Sequence, residues 1–395
     1  MNKTISLWED ERLTLQGSIE LTKQSLISYG QDYKHWICAF SGGKDSSATV
    51  TVIAHLIETG QIPKPESLTI LYSDTRLELP PLQISAMGIL QEMRSRGFNT
   101  QVVMAPLDKR MLVYILGRGV PPPNNNTMRY CTRQIKLDPM QAAVAELRQH
   151  SGEKLLMLTG VRLGESAVRD NRIAVSCSRN GAECGQGWFQ RDLDTAIADT
   201  LAPILHWRVC HVWDWLMFEA PMLGFPTTAI AEAYGGNEAE EINARTGCVG
   251  CPLASKDVAL DAVIKQPRWA YLATLRQLRL LFEWMRRQGN RLQKDGTETR
   301  KDGSLVANPM RKGPLTLEAR LEALEKILRL QTEVNEAAIA NERPTISLIN
   351  PEEENRIREL IALKTFPDGW SGDEQRGDVL LPEVLSDGSV QLLLF

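Results

Sequence analysis

The residues best suited to chemistry form a short loop, Ser41-Gly42-Gly43-Lys44-Asp45-Ser46, between an apolar run and a segment of helical spacing. Adjacent glycines allow backbone conformations that other residues avoid, and serine hydroxyls lie beside the N–H groups of the first helical turn. Such a turn favours an anion, helped by the helix dipole. A Walker A loop would need glycine where this chain has Cys38, so the pattern indicates another kind of phosphate loop. An ordinary glycine-containing turn is the alternative.

Carboxylates and guanidinium groups follow two later predicted strands. Asp74 and Glu78 are hard oxygen groups that could hold Mg²⁺ on a triphosphate, or could only cap the helix predicted from Pro80. Arg162 and Arg169 follow the predicted fourth strand and could grip phosphates with two parallel hydrogen bonds. Both segments therefore predict ligand contacts at strand ends.

A cysteine at position 131 lies in a basic segment of the chain. Its neighbours in sequence include Arg129, Arg133 and Lys136. Nearby cations lower the pKa of a thiol, so we expect Cys131 to be a thiolate nucleophile or a metal ligand.

A second cysteine motif is Gly247-Cys248-Val249-Gly250-Cys251. Glycines in this spacing allow the backbone to turn sharply enough for both sulfurs to meet one metal. A redox-active pair is the alternative, but such pairs usually open a helix near the start of a thioredoxin-like unit, whereas this one is late in the chain. The motif favours a metal site.

Strands and helices alternate in the first half of the chain. Apolar runs predict strands around 36–40, 67–72, 100–105 and 154–160, with helices over 45–58 and 80–96. This order predicts an α/β fold, a doubly wound and mostly parallel sheet with right-handed crossovers, whose ligand site lies at the carboxyl ends of the strands. Cys38 falls inside a predicted strand and is expected in the core.

Composition divides the chain into four expected regions. These are a helical lead-in (1–34), a nucleotide-binding domain with the cysteine site (35–260), a helical basic region (261–345) and an acidic carboxyl-terminal tail (346–395). Residues 265–312 hold twelve Lys or Arg against four acids, which could face a polyanion or be solvated surface. Seven cysteines, an odd number, and the absence of a leader or membrane span predict a cytoplasmic protein with free or metal-binding thiols.

These motifs resemble the PP-loop ATP pyrophosphatases, and more closely the phosphoadenosine phosphosulfate reductase superfamily with its adenine nucleotide alpha hydrolase-like fold. The similar segments are Ser41 to Ser46, Asp74 to Pro80, Arg129 to Pro139 and Gly160 to Ser166. The resemblance implies catalytic roles for Lys44, Asp45, Ser46 and Arg162. It implies ATP binding by Ser41, Gly42, Gly43, Lys44, Asp45, Ser46, Asp74, Glu78, Arg129, Lys136, Gly160, Arg162 and Arg169.

Within that superfamily the chain is most similar to the DNA phosphorothioation family of DndC and its single-strand counterpart SspD. That resemblance implies a 4Fe–4S cluster on Cys131, Cys248 and Cys251, with zinc as the alternative metal. The family's fourth cysteine corresponds to Ala259 here, so Cys184 or Cys177 would complete the cluster, or one iron would stay open.

The reaction implied is adenylation of a DNA backbone phosphate by Mg²⁺-ATP, with release of pyrophosphate, followed by sulfur incorporation. The implied partners are DNA, a cysteine desulfurase as sulfur donor and other DNA phosphorothioation proteins. A tRNA thiolase and an ATP sulfurylase-like enzyme share the loop and stay open as alternatives. A sulfonucleotide reductase would need a cysteine after Cys251, which the chain lacks. A non-enzymatic DNA-binding module would leave the loop and the cysteines unexplained.

Overall fold

The computed structural model describes residues 13–125, 128–164, 188–190, 197–235, 247–300, 302–379 and 382–391. They fall into two compact units. The first unit is built from the described parts of Met1–Ser73, Pro80–Val103 and Met140–Thr246, and the second from those of Asp74–Leu79, Met104–Pro139 and Gly247–Phe395. The chain therefore passes from one unit to the other several times. No helix within the described ranges is both long enough and apolar enough to cross a membrane.

A six-stranded sheet forms the centre of the first unit. Its strands are β1 (His35–Phe40), β2 (Ser67–Asp74), β3 (Asn99–Met104), β4 (Leu155–Leu158), β5 (Trp188–Gln190) and β6 (Ala198–Ala202). They lie in the order β3-β2-β1-β4-β6-β5. β1 is parallel to β2 and β4, β4 is parallel to β6, and β5 is antiparallel to β6. The mostly parallel α/β sheet expected from the sequence is confirmed.

Apolar side chains on the strands explain why this sheet is covered on its faces. One core cluster contains Ile37, Leu71 and Leu155 of the strands together with Ala143 and Val144 of the helix between β3 and β4. The next residue of β1, Cys38, is also buried, as expected. Burial on both faces is typical of parallel strands, whose connecting helices pack on the sheet.

Helices connect and flank these strands. They are α1 (Leu15–Gly30), α2 (Lys44–Glu58), α3 (Pro80–Ser95), α4 (Asp138–Ser151), α5 (Val209–Asp214), α6 (Ala220–Met222) and α7 (Ile230–Ala233), with a π-helical turn at Trp215–Glu219. The helices predicted after the loop and from Pro80 correspond to α2 and α3. α1 begins at the cap of Thr14 and packs through Thr22, whose hydroxyl accepts a hydrogen bond from the indole of Trp207 at 2.9 Å. The lead-in segment is thus tied to the same unit as the loop.

The second unit is mainly helical in its later part. It contains α8 (Val258–Ile264), α9 (Arg276–Met285), α10 (Leu317–Ala340) and α11 (Pro351–Ala362), 3₁₀ turns at Leu107–Lys109, Pro267–Leu275 and Gln288–Asn290, and π-helical turns at Val113–Gly117 and Arg133–Leu137. Its strands are β7 (Arg291–Gln293), β8 (Lys312–Leu315), β9 (Gln375–Arg376), β10 (Glu383–Val384) and β11 (Val390–Gln391). β7 lies between β8 and β9, and β10 pairs with β11.

Leu317, Leu321, Leu324 and Leu328 recur at helical spacing, which predicts an amphipathic helix with these side chains on one face. The buried face of α10 differs from that face in part. Leu324 is buried as predicted, whereas Leu321 is 44% exposed. The preceding residue, Arg320, is instead fully buried and donates hydrogen bonds to the carbonyl groups of Leu116, Gly117 and Thr365. A guanidinium with three backbone acceptors can occupy a buried position that the apolar pattern assigns to no charged residue.

Candidate functional site

The loop of the first unit has the strand-turn-helix geometry that the sequence predicts. Gly42 has a φ of +74°, and a Cβ there would lie 2.8 Å from the Cβ of Ala86. Gly43 then caps α2 in an extended conformation. The Ser46 hydroxyl donates to the carbonyl of Gly43 at 3.0 Å and accepts from the Ser41 N–H at 3.2 Å. The loop is therefore closed on itself, with the first turn of α2 at its mouth.

Gly160, directly after β4, packs against the backbone of that first turn. A Cβ at Gly160 would lie 2.8 Å from the Ser46 nitrogen and 2.9 Å from the Asp45 carbonyl carbon. Real side chains do not approach backbone atoms so closely, so glycine is required here for close packing. A phosphate would bind at this helix N-terminus, because helix N-termini attract anions. The contact with Gly160 therefore fixes how closely the segment after β4 approaches that place.

Asp45 is held between two cations in the same turn. Arg162, which is 5% exposed, donates from Nε to one Asp45 oxygen and from a terminal nitrogen to the carbonyl of Trp207 at 3.2 Å. The Lys44 Nζ lies 3.3 Å from the other oxygen of Asp45. The structure thus brings together four predicted residues, Lys44, Asp45, Gly160 and Arg162, and Arg162 directs part of its guanidinium at Asp45.

Tyr234, just after α7, is a residue of this site that the sequence did not indicate. Its hydroxyl accepts a hydrogen bond from the Lys44 N–H at 3.1 Å. Its ring lies 5.1 Å from the Lys44 Nζ and packs edge-on against Trp213. The hydroxyl therefore occupies one of the donors that a helix N-terminus offers to an anion. No local pattern around Tyr234 signals this role, because 190 residues separate it from Lys44.

The predicted carboxylates of the second unit lie in a tight turn, Asp74 to Glu78. Asp74 accepts from the Arg76 N–H at 2.7 Å, and Glu78 accepts from the Thr75 N–H at 3.2 Å and from its hydroxyl at 2.6 Å. Burial raises the pKa of Glu78, against the lowering effects of the Thr75 hydrogen bond and of Lys136. Both carboxylates thus cap their own turn.

Cys251 acts electrostatically on the two other described candidate thiols of the second unit. Cys251 raises the pKa of both Cys131 and Cys248, and the Cys248 sulfur lies 4.0 Å from the Thr75 hydroxyl. Burial is the largest effect on each: it raises the pKa of Cys131 and brings that of Cys248 to about 11.

The prediction of a lowered pKa for Cys131 is therefore wrong. The guanidinium of Arg133 pairs with Asp138 at 3.2 Å and is largely exposed, whereas burial of the Cys131 sulfur is the largest effect on its pKa. Without a bound metal, thiols with raised pKa values are protonated near neutrality. A metal would have to displace those protons.

Cysteine thiolates suit iron–sulfur clusters and zinc, so the chemistry of these donors fits the expected metal. The arrangement of the donor side chains does not form a complete metal site in the described ranges. In the ranges that the structure describes, no three His, Cys, Asp or Glu side chains form a group placed to hold a metal ion. Cys184, Cys177 and Arg169 lie outside the described residues. We therefore assign no chemical step to a metal centre.

Arg129 and Lys136 are exposed residues of the second unit. Lys136 acts electrostatically on Glu78 and Cys248 and offsets part of the rise that burial causes in the pKa of each. The predicted site residues thus form two groups: the loop with Gly160 and Arg162 in the first unit, and the Asp74–Glu78 turn with Lys136 and the thiols in the second.

The mostly parallel sheet with a glycine-containing loop at the end of β1 is consistent with the PP-loop, adenine nucleotide alpha hydrolase-like fold. Residues 35–220 match the sequence family described as "Phosphoadenosine phosphosulfate reductase domain". The match covers just under half of the chain, contains the loop and Gly160 with Arg162, and ends before Cys248. The matched family is a family of enzymes. No curated protein sequence matches the chain.

Three solved structures resemble the chain at low sequence identity. Phosphoadenylyl-sulfate reductase from Candida auris, in a phosphate complex, is 11% identical over 53% of this chain and 88% of its own (TM-score 0.33). FMN adenylyltransferase from Candida glabrata, with FMN and the ATP analogue AMPCPP, is 15% identical over 51% and 57% (TM-score 0.31). The U34-tRNA thiolase NcsA from Methanococcus maripaludis, with its [4Fe-4S] cluster, is 12% identical over 68% and 80% (TM-score 0.35).

Proposed function

We propose that the protein is an ATP pyrophosphatase that adenylates a DNA backbone phosphate for sulfur incorporation. The observation that supports this most is the Ser41–Ser46 loop at the N-terminus of α2, closed by the Ser46 hydroxyl and packed against Gly160. A helix N-terminus with a neighbouring ammonium group is suited to an oligophosphate that leaves as pyrophosphate.

In the first step, a non-bridging oxygen of the acceptor phosphate attacks the α-phosphorus of Mg²⁺-bound ATP, and the bond to pyrophosphate breaks. Amides of the first turn of α2, and Lys44, stabilise the charge that develops on pyrophosphate. Asp45 keeps Lys44 and Arg162 in place through the ion pairs described above. Further phosphate contacts are proposed for Arg129, Lys136 and Arg169, and ligation or orientation of Mg²⁺-ATP for Asp74 and Glu78.

In the second step, sulfur displaces AMP from the activated phosphate. A cysteine desulfurase would supply that sulfur as a persulfide, and a thiol would then reduce the remaining S–S bond. Other DNA phosphorothioation proteins, as in the DndC and SspD systems, would act together with this chain. The acceptor oxygen that attacked ATP leaves on the phosphate of AMP, so the DNA phosphate exchanges one non-bridging oxygen for sulfur.

We also propose that Cys131, Cys248 and Cys251 bind a 4Fe–4S cluster, with zinc as the alternative and Cys184 as a candidate fourth ligand. A bound cluster would supply soft iron sites able to bind sulfur. Anaerobically purified protein should then contain about four irons per chain and absorb visible light. Stoichiometric zinc without visible absorption would instead show that the cysteines bind zinc and not a cluster.

The first test follows the fate of ATP. Wild-type protein should release AMP and pyrophosphate in the presence of an acceptor, and Asp45→Asn should abolish this because it removes the charge that Lys44 and Arg162 share. Asp261→Asn is a matched control, since Asp261 pairs with Arg276 at 2.6 Å on an exposed surface. Release of ADP and orthophosphate would contradict the proposal.

The second test identifies the acceptor. Genomic DNA from cells with the protein and its desulfurase should yield phosphorothioate-linked dinucleotides on nuclease digestion and mass spectrometry. If these are absent and a deletion strain loses a thiolated base from transfer RNA, the protein is a tRNA thiolase. Sulfite formation from an adenylylated sulfate would instead indicate a sulfonucleotide reductase, and adenylation of sulfate itself an ATP sulfurylase-like enzyme.

The basic stretch from 265 to 312 gives this proposal little support as a DNA surface. Arg276 is paired with Asp261 and Arg311 with Glu298, at 2.6 and 2.7 Å. Arg291 donates to the carbonyl of Gly313 at 2.9 Å. Of the twelve basic residues in this stretch, at least two are therefore paired with acids, and a third is bonded to a backbone carbonyl.

A further inference from the structure

We propose that Glu353, in the first turn of α11, is a positioning residue that holds the Asp74–Glu78 turn in the conformation used for binding. The inference rests on the proposed function in one respect, the identity of the ligand that the turn binds. The contacts that carry it lie entirely within the second unit.

Glu353 is a buried carboxylate that links α11 to this turn. It is 3% exposed, and its oxygens lie 3.3 and 3.4 Å from Nε and a terminal nitrogen of Arg76. Arg110 contributes a further contact at 3.3 Å, and the Asn350 N–H donates at 3.0 Å as part of the helix cap. A buried charge with two cationic partners is costly to leave unpaired, so the three side chains hold one another in place.

Arg76 has a backbone conformation that a residue with a side chain rarely adopts. Its φ is +66°, in the left-handed region that favours glycine. This conformation directs the Arg76 N–H to Asp74, at 2.7 Å, while the guanidinium reaches Glu353 and the Ser347 hydroxyl, the latter at 3.0 Å. Strained backbone persists only where surrounding contacts determine it. Here the contact from α11 does so.

The other side of the turn is fixed by the cysteine motif. The Val249 N–H donates to the carbonyl of Leu77 at 2.7 Å, and Glu78 forms a β-bridge with Cys248. The turn is thus held between the Cys248–Val249 segment and α11. Releasing the α11 side should let Arg76 leave its strained conformation, and Asp74 and Glu78 would then lose their fixed directions.

The decisive experiment is hydrogen–deuterium exchange on full-length Glu353→Gln, followed by mass spectrometry of a peptide that covers 74–78. Glutamine can keep the cap on Asn350 but removes the charge that holds Arg76. The amides of Thr75 and Arg76 should exchange at least about tenfold faster, since hydrogen bonds to charged groups are worth a factor of this size. Exchange equal to that of the wild type would overturn the inference.

Glu354→Gln is the matched control, because it removes the same charge from the same helical turn but contacts Arg358, at 2.9 Å. It should leave exchange in 74–78 and pyrophosphate release unchanged. If it accelerates exchange as much as Glu353→Gln, the effect belongs to helix stability and the positioning role is wrong. Arg76→Gln and the double variant complete a cycle. Non-additive effects are expected if Glu353 acts through Arg76, and additive effects would refute that route.

Enzyme kinetics then separate this inference from the proposed function. Glu353→Gln should lower kcat/KM for ATP about tenfold, in proportion to its exchange effect. Accelerated exchange with unchanged kcat/KM would overturn the link between the turn and catalysis. A wild-type protein that releases no pyrophosphate would refute the proposed function, while the exchange measurement would still decide whether Glu353 positions the turn.

Discussion

Gly160→Ala is the change whose effect can be worked most directly from the structure. The new methyl group would lie 2.8 Å from the Ser46 nitrogen and 2.9 Å from the Asp45 carbonyl carbon. Ordinary contacts begin near 3.4 Å, so β4 and α2 would have to separate by roughly 0.6 Å. Both atoms belong to backbone, so no side-chain rotation can relieve the clash.

Two consequences of Gly160→Ala are expected. Overpacking should lower the free energy of unfolding by about 1–3 kcal/mol. Displacement of the first turn of α2 should slow pyrophosphate release by roughly tenfold or more, since a shift of about 1 Å in a reacting group can cost about a hundredfold. Urea denaturation measures the first, and a coupled pyrophosphate assay measures the second.

Gly88→Ala provides the control for this substitution. Gly88 is in α3, and its new methyl group would come no closer than 4.0 Å to its nearest neighbour, Pro226. Alanine is the better helix former, so we expect a gain of about 0.5–1 kcal/mol and unchanged pyrophosphate release. If Gly160→Ala behaves like Gly88→Ala in both assays, the close packing of Gly160 on the loop determines neither the stability of the protein nor the rate of pyrophosphate release, and the reasoning is refuted.

Two further predictions concern single side chains. Tyr234→Phe frees the Lys44 N–H from its 3.1 Å hydrogen bond and should tighten pyrophosphate binding about 2- to 10-fold by calorimetry. The control Tyr271→Phe, which loses a hydrogen bond to the Pro344 carbonyl at 2.7 Å, should leave pyrophosphate binding unchanged. Weaker binding by Tyr234→Phe would contradict the prediction and show that the Tyr234 hydroxyl contacts the ligand. In native protein, iodoacetamide should label exposed Cys210 and spare Cys38, which is buried and whose pKa burial raises to about 12. Comparable labelling of the two cysteines, read by peptide mass spectrometry, would contradict the buried position of Cys38.

Local chemistry explains what could be predicted from the sequence. The loop from Ser41 to Ser46 depends on neighbours within about six positions, so its turn and the start of α2 follow from residue types alone. The parallel strands follow from their apolar runs. Tyr234 could not be found this way, because its contact with Lys44 exists only after the chain has folded.

The failures come from effects that a sequence pattern does not contain. For Cys131, adjacent basic residues predicted a low pKa, but desolvation acts on the sulfur more strongly than cations whose side chains point elsewhere. For α10, the leucine spacing predicted that Leu321 lies on the apolar face, but the structure leaves Leu321 44% exposed and buries Arg320, which bonds to backbone carbonyls. In both cases the deciding effect is burial in the folded chain, which acts on the Cys131 sulfur and on the Arg320 guanidinium.

The repeated passage of the chain between the two units has a consequence for its synthesis. Met104–Pro139 belongs to the same unit as Gly247–Phe395, so on the ribosome it must wait for more than a hundred later residues, roughly 5 to 20 seconds at typical elongation rates. During that interval the segment carrying Cys131 has none of its final partners from beyond Gly247. Contacts so distant in sequence also slow folding in general. A slow, late-closing second unit is the expected order of events, and a gene fragment that stops at Thr246 would leave that unit without its larger part.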